Sequence, residues 1–282
     1  MKKRIFRELL ASRWAQRTFV CVGLDSDYAC IAKIVRSNSI ERTIFEFNRA
    51  IIDATHDLVC AYKINSAFYE AYAMEDISAL IRTVAYINHV AQDIPVILDA
   101  KRADIGTTNL AYVRAAFDVI KADAITVNPY LGFEALAPFL ACKDRGIFIL
   151  CRTSNQGAGE FQDLRIDGVP LYQIIARNVA TAWNVNKNCG VVVGATDSDG
   201  LWKVRQEVGE MPILIPGVGN QGGDMRQAVM SGFDVNGSGI IISASRSIIF
   251  ASSGPDFAEA ARVETMRVRD AVNHCRDNFL HF

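Results

Sequence analysis

The chain has 282 residues, half of them hydrophobic and 22% charged, with 30 Lys and Arg against 31 Asp and Glu for a net charge of −1. This composition excludes disordered, collagenous and low-complexity proteins and supplies apolar surface for a large core. The balanced charge gives no global field for polyanions, so neither nucleic acid nor a membrane surface is expected as a partner, whereas a small anionic ligand needs only a local basic group.

The opening segment, MKKRIFRELLASRWAQR, starts basic like a signal peptide, but Arg7, Glu8 and Arg13 interrupt any apolar run and predict an amphipathic helix instead. Eight short apolar runs follow: TFVCVGLD from Thr18, LVCAYKIN from Leu58, IPVILDA from Ile94, ADAITVN from Ala122, GIFILCR from Gly146, GVVVGAT from Gly190, PILIPGVG from Pro212 and GIIISAS from Gly239. Each is nearly continuous in hydrophobicity, as a parallel strand covered on both faces must be. Segments of helical period separate them, among them SIERTIFEFNRAIIDAT, SALIRTVAYINHVAQD, LYQIIARNVATAWNV and DMRQAVMSG, and DFAEAARVETMRVRDAVNHCRD closes the chain. Eight alternations predict an α/β fold, a (β/α)8 TIM barrel with an extra N-terminal helix, spanning residues 1–282 as one domain. A doubly wound open sheet competes, but no linker, charge block or low-complexity stretch divides the chain into halves. No uncharged apolar stretch approaches the ~18 residues of a membrane span. The seven Cys are scattered and the four His far apart, so a reducing, cytoplasmic setting is expected, with neither a disulfide framework nor a metal site.

In a barrel of this kind the chemistry lies at the C-terminal ends of the strands. The strand ends here carry Asp25, Lys63, Asp99, Lys101, Ser154 and Arg246. The densest cluster is DAKRADIGTT, closing the third strand. Asp99 and Lys101, two residues apart, are expected on one side of the strand, and Asp104 lies in the turn into a helix whose start Thr107 and Thr108 mark. An ion-pair cluster that only ties down a loop is the plainer reading. Lys63 and Asp25 end strands two and one; singly each suits a solvated end or a cap, but in a barrel they join Asp99 and Lys101 in an alternating acid–base chain. After strands seven and eight come PGVGNQGGD and ISASRS, in the two loops where barrels often bind phosphate. Gly217, Gly219, Gly222 and Gly223 allow close backbone approach, Gln221 adds donors, and the fork of Arg246 suits phosphate oxygens. After strand five, CRTSNQGAGEFQ offers Ser154 and Asn155 to the amide edge of a heterocycle, with Gly157 and Gly159 suited to a lid; an ordinary polar turn explains them equally.

Taken together, DAKRADIG, RTSN followed by Gly, PGVGNQGGD and an Arg just after strand eight resemble the orotidine 5′-phosphate decarboxylase family, specifically a bacterial-type branch with a longer strand-five loop. The resemblance runs from CVGLD to SASRS. Gln156 departs from it, standing where many relatives have proline. The resemblance implies decarboxylation of orotidine 5′-monophosphate to UMP in pyrimidine biosynthesis, without a metal or organic cofactor. It implies that Lys101 protonates C6 as carbon dioxide leaves and that Asp99 sits near the scissile carboxylate. Lys63 and Asp25 would hold the ribose hydroxyls, Ser154 the pyrimidine amide, and Gln221 with Arg246 the phosphate. It also implies a homodimer in which Asp104 and Thr108 reach the partner's site. Two alternatives stay open. One is a Mg²⁺-dependent sister enzyme acting on 3-keto-L-gulonate 6-phosphate, for which an added acidic ligand such as a Glu ending strand two is expected where this chain has Lys63. The other is a non-catalytic phosphate-binding barrel, which has no need of the full Asp–Lys array.

Overall fold

All eight apolar runs form strands; five strands lie inside their runs, one coincides with its run from Gly146 to Arg152, one extends past its run to Arg102, and one begins a residue early, at Cys189. They are β1 (Val20–Gly23), β2 (Val59–Asn65), β3 (Val96–Arg102), β4 (Ala124–Val127), β5 (Gly146–Arg152), β6 (Cys189–Val193), β7 (Ile213–Pro216) and β8 (Ile240–Ala244). Every neighbouring pair is parallel, and β8 returns to pair with β1, closing a (β/α)8 barrel. The structure, a computed structural model, describes residues 3–71, 74–218 and 224–281, without the side chains of 74–76.

The near-continuous hydrophobicity of the strands has two destinations. Cys21, Cys60, Ile97, Ala124, Phe148, Val192, Leu214 and Ile241 form an inner cluster, while the residues flanking them, apart from Ala61, which joins that cluster, and the polar Asp123, belong to the outer one. Alternation along each strand thus separates an inner core from an outer one. The leading helix, Phe6–Ala15, presents Phe6, Leu10 and Arg13 on one buried face. Phe6 meets Phe148 edge-on at 5.6 Å and closes the N-terminal end of the barrel. Just before it, Arg4 donates to both carboxylate oxygens of the fully buried Asp123, at 2.9 and 2.7 Å.

The segments of helical period mostly form the expected helices. Ile40–Thr55 is capped by Ser39, whose side chain accepts from the Arg42 amide, and Asp224 caps Met225–Gly232 through the amides of Arg226 and Gln227. LYQIIARNVATAWNV is α-helical over Leu171–Asn178 and then widens into a π turn over Val179–Trp183. A helix does start around Thr107 and Thr108, as expected, but neither threonine caps it. The helix runs from Gly106 to Val113, with Ile105 at its cap and both threonines exposed inside the first turn. Asn109 organises this turn instead, accepting from the Asp104 amide at 3.0 Å and donating to the carbonyls of Asp104 and Ala135. Between β5 and β6 the chain makes an insertion that ends in a small antiparallel hairpin, Arg165–Ile166 against Val169–Pro170. Among the described residues, no helix is long and apolar enough to cross a membrane.

Candidate active site

A cavity of about 500 Å³ opens at the C-terminal ends of the strands, within the size range of small-molecule sites. Asp25, Lys63, Asp99, Lys101, Ser154 and Arg246 all line it. Each sits at or just beyond the end of a different strand, apart from the Asp99–Lys101 pair on β3. The parallel register brings them level: Gly23 of β1 lies beside Lys63 of β2, and Asn65 beside Asp99 of β3.

The charges form one unbroken chain. Asp25 Oδ1 lies 3.5 Å from Lys63 Nζ, Lys63 Nζ donates to Asp99 Oδ2 at 3.1 Å, and Lys101 Nζ donates to Asp99 Oδ1 at 2.7 Å. Lys63 and Asp99 are buried, whereas the Lys101 side chain is 47% exposed and forms the open end of the chain. Burial alone would depress the Lys63 ammonium, but Asp25 and Asp99 overcome this and hold it above its ordinary value. Burial would likewise raise the Asp99 carboxyl; the ammoniums of Lys63 and Lys101, with hydrogen bonds from Lys101 and Thr126, pull it well below the carboxylate range instead. Asp99 is therefore a fixed negative charge clamped between two cations.

Asp99 and Lys101 meet, although not by regular strand alternation. Lys101 has φ 48°, in the left-handed region, and the pairing of β3 with β4 shifts register between Leu98 and Arg102. Thr126 of β4 stabilises this bulge: its hydroxyl donates to Asp99 Oδ1 at 2.8 Å and accepts the Lys101 amide at 2.9 Å. Sequence reasoning passed over Thr126, yet a signal was present. It is two residues on from the inward-facing Ala124 and is the one polar side chain of its strand.

The opposite wall is built by the β5 insertion. Ser154 and Asn155 reach the cavity, joined by Thr153 and Gln162. Gln162 fastens the segment by accepting the Thr153 amide at 2.8 Å and donating to its hydroxyl at 2.9 Å, and Asp163 pairs with Arg152 at 2.9 Å. Gly157 and Gly159 lie in two short helical turns, Gln156–Ala158 and Gly159–Gln162. Ser154 comes so near β6 that a Cβ at Gly194 would stand 2.7 Å from Ser154 Cβ and 2.8 Å from its Cα. Gly194 is a site residue that sequence reasoning did not single out.

At the third side, Gly217 (φ 90°) and Arg246 line the cavity with Ser245 and Ser247. Arg246 is exposed. Gln221, Gly219, Gly222 and Gly223 lie outside the described residues. Asp104 and Thr108 do not line this chain's own cavity; they sit on the rim beyond β3, with Thr108 exposed. Among the described residues, no group of three or more His, Cys, Asp and Glu is placed to hold a metal ion. Inside the barrel, burial pushes the Cys21 thiol up to about 12, which makes it an apolar filler and not a nucleophile.

Comparison with known proteins identifies the family of the chain. The family model described as orotidine 5′-phosphate decarboxylase / HUMPS family matches residues 18–262. The chain is 47% identical over 272 residues to the orotidine 5′-phosphate decarboxylase of Cellvibrio japonicus (strain Ueda107), covering 96% of this chain and 99% of that protein. It is 45% identical over 273 residues to the protein of the same name from Ralstonia pickettii (strain 12J), again covering 96% and 99%. Among solved structures, the OMP decarboxylase of Leishmania donovani superposes with a TM-score of 0.84 at 34% identity, covering 97% of this chain and 99% of that one.

Proposed function

Since the chain belongs to the orotidine 5′-phosphate decarboxylase / HUMPS family, we propose that it is a carboxy-lyase converting orotidine 5′-monophosphate to UMP in pyrimidine biosynthesis, with Lys101 as the proton donor. The observation that carries this reading is the complete Asp25–Lys63–Asp99–Lys101 chain, ending in an exposed ammonium inside a nucleotide-sized cavity. Breaking the bond between C6 and the carboxylate releases carbon dioxide and leaves an electron pair on C6. A fixed ammonium stabilises that pair as it develops and then transfers a proton to it, forming the C6–H bond of UMP; solvent restores the proton to Lys101. Asp99 holds the Lys101 ammonium in place through their 2.7 Å hydrogen bond. In this reading Asp25 and Lys63 hold the ribose hydroxyls, Ser154 the pyrimidine amide and Arg246 the phosphate, a role the family resemblance also gives to Gln221. Binding energy from the phosphate end then serves to align the ring on Lys101.

The C-terminal part of strand two presents Lys63 to the cavity rather than an acidic metal ligand, which favours this chemistry over that of a Mg²⁺-dependent sister enzyme. The test is loss of pyrimidine absorbance when purified protein meets orotidine 5′-monophosphate, with and without EDTA. Turnover unaffected by EDTA is expected; activity lost in EDTA and restored by Mg²⁺ would favour the sister enzyme.

The working unit in this reading is a homodimer in the cytoplasm, a setting that free cysteines suit. Asp104 and Thr108 lie outside the lining of their own cavity, and near them in the chain or on the next helix Ile105, Leu110, Tyr130 and Phe133 leave 62%, 56%, 84% and 51% of their surface exposed. Such an apolar rim around polar site residues suits a two-fold partner that receives both. Coexpressed Lys101→Ala and Asp104→Ala chains should regain about a quarter of wild-type activity, because half the dimers are mixed and each of these carries one intact site. No recovery in verified mixed dimers would refute sharing.

A further inference from the structure

Asp25 is aligned by its neighbours more than by its own carboxylate. Its Oδ1 is buried in the cavity wall without a hydrogen-bond donor, and what it meets there is Lys63, at ion-pair distance. The residues on either side of it are both fastened to a single side chain. Asn48, on the helix Ile40–Thr55, is completely buried. Its Oδ1 accepts from Ser26 Oγ at 2.5 Å, and its Nδ2 donates to the Tyr69 hydroxyl at 2.8 Å and to Thr83 Oγ1 at 3.0 Å. The Tyr69 hydroxyl passes the chain on, donating to the Leu24 carbonyl at 2.9 Å. Ser26, Tyr69 and Thr83 are as fully buried as Asn48.

We infer that Asn48 is a positioning residue for the reaction, clamping Leu24 and Ser26 and thereby aiming the carboxylate of Asp25 at Lys63 and at a substrate hydroxyl. This inference rests on the function proposed above. Its logic is one of lone pairs. A carboxylate that is to accept a hydrogen bond from a ligand must keep an oxygen free of protein donors, so its direction has to be set through the backbone. Asn48 has the inventory for this task, one acceptor and two donors used in three directions. An aliphatic residue would fill the same space but leave Ser26 and Thr83 without their partner. An aspartate would lose both donors. Because the amide draws on the helices Ala67–Glu70 and Met74–Val90 as well as its own, three helices hold the β1 loop at one point. A satisfied buried network of this kind selects one geometry over its near neighbours.

The test is a double-mutant cycle on kcat/KM for orotidine 5′-monophosphate. Ser26→Ala, Tyr69→Phe and Asn48→Ala are each made alone and together with Asp25→Ala, with the thermal midpoint of every protein recorded. Ser26→Ala and Tyr69→Phe should each lower kcat/KM about tenfold in the otherwise wild-type chain and less than about twofold once Asp25 is alanine, since a clamp has no further effect when the group it aims is gone. These two variants remove a single hydroxyl each and carry the test even where Asn48→Ala does not fold. Equal losses in both backgrounds, or full activity in the folded single variants, would overturn the inference. Wild-type protein inert toward orotidine 5′-monophosphate would instead overturn the functional reading, and this inference with it.

Discussion

Asp99 is the residue on which the site's electrostatics turn. A carboxylate whose pKa is lower in the folded than in the unfolded chain contributes its full stability above the unfolded value and loses it as pH falls toward the folded one. A lysine whose pKa is raised contributes below its unfolded value and loses that contribution as pH rises through the folded one. Asp99 is the first case and Lys63 the second, so around neutral pH both contributions are complete. Asp99→Asn should cost about 3 kcal/mol at pH 7, because it leaves the Lys63 ammonium buried with half its compensation. The gap between variant and wild type should narrow below about pH 4, where Asp99 of the unfolded chain begins to gain a proton while that of the folded chain stays ionised. Urea unfolding across this range checks the sign; a gap that widens toward acid would contradict it. The acid–base chain was legible in the sequence because charged residues directly after apolar runs are conspicuous. Thr126 and Asn48 were not, since a threonine in a strand and an asparagine in a helix look ordinary until the partners they meet across the fold are known.

At the scale of elements, each wall of the site comes from one strand end and the loop it launches, and close approach between neighbouring ends sets its shape. Gly194, just past β6, is the clearest instance. Any side chain there would drive into the Cβ and backbone of Ser154, which cannot swing aside as the tip of a long side chain can. Gly194→Ala should therefore displace the β5 insertion and raise KM for the nucleotide about tenfold or more while the melting temperature changes little. Steady-state kinetics beside a thermal melt decides this, and an unchanged KM would show that the insertion wall does not hold the ring. The eight strands were readable from hydrophobicity alone, because parallel strands in a barrel are covered on both faces. The bulge at Lys101 was not, since its left-handed backbone depends on a hydrogen bond from β3 to Thr126 on β4. Nor was the turn at Asp104, where the threonines offered plausible caps but Asn109 supplies the hydrogen bonds.

At the scale of the whole molecule, stability and chemistry occupy opposite ends of one barrel. Phe6 seals the N-terminal end, fitting against Gly146 and Phe148 at a distance from the charged mouth. Phe6→Ala should destabilise the fold by about 3–5 kcal/mol through the cavity it leaves, while kcat/KM at a temperature where the variant is folded stays within about twofold of wild type. Denaturant unfolding and kinetics on the same sample separate the two, and a large kinetic loss in folded protein would show that the ends are coupled. The eightfold alternation told where to look for chemistry; the proposal that Asp104 and Thr108 serve a partner's site draws on the family resemblance, because nothing within one chain's sequence reports which rim residues meet a second copy. The central claim concerns the ammonium at the open end of the charge chain. The most direct measurement is steady-state decarboxylation of orotidine 5′-monophosphate by Lys101→Ala, with its thermal midpoint beside that of the wild type. Turnover should fall by several orders of magnitude in protein that remains folded, as proton donor and charge at C6 are removed together. Folded Lys101→Ala protein with near-wild-type kcat would contradict the account.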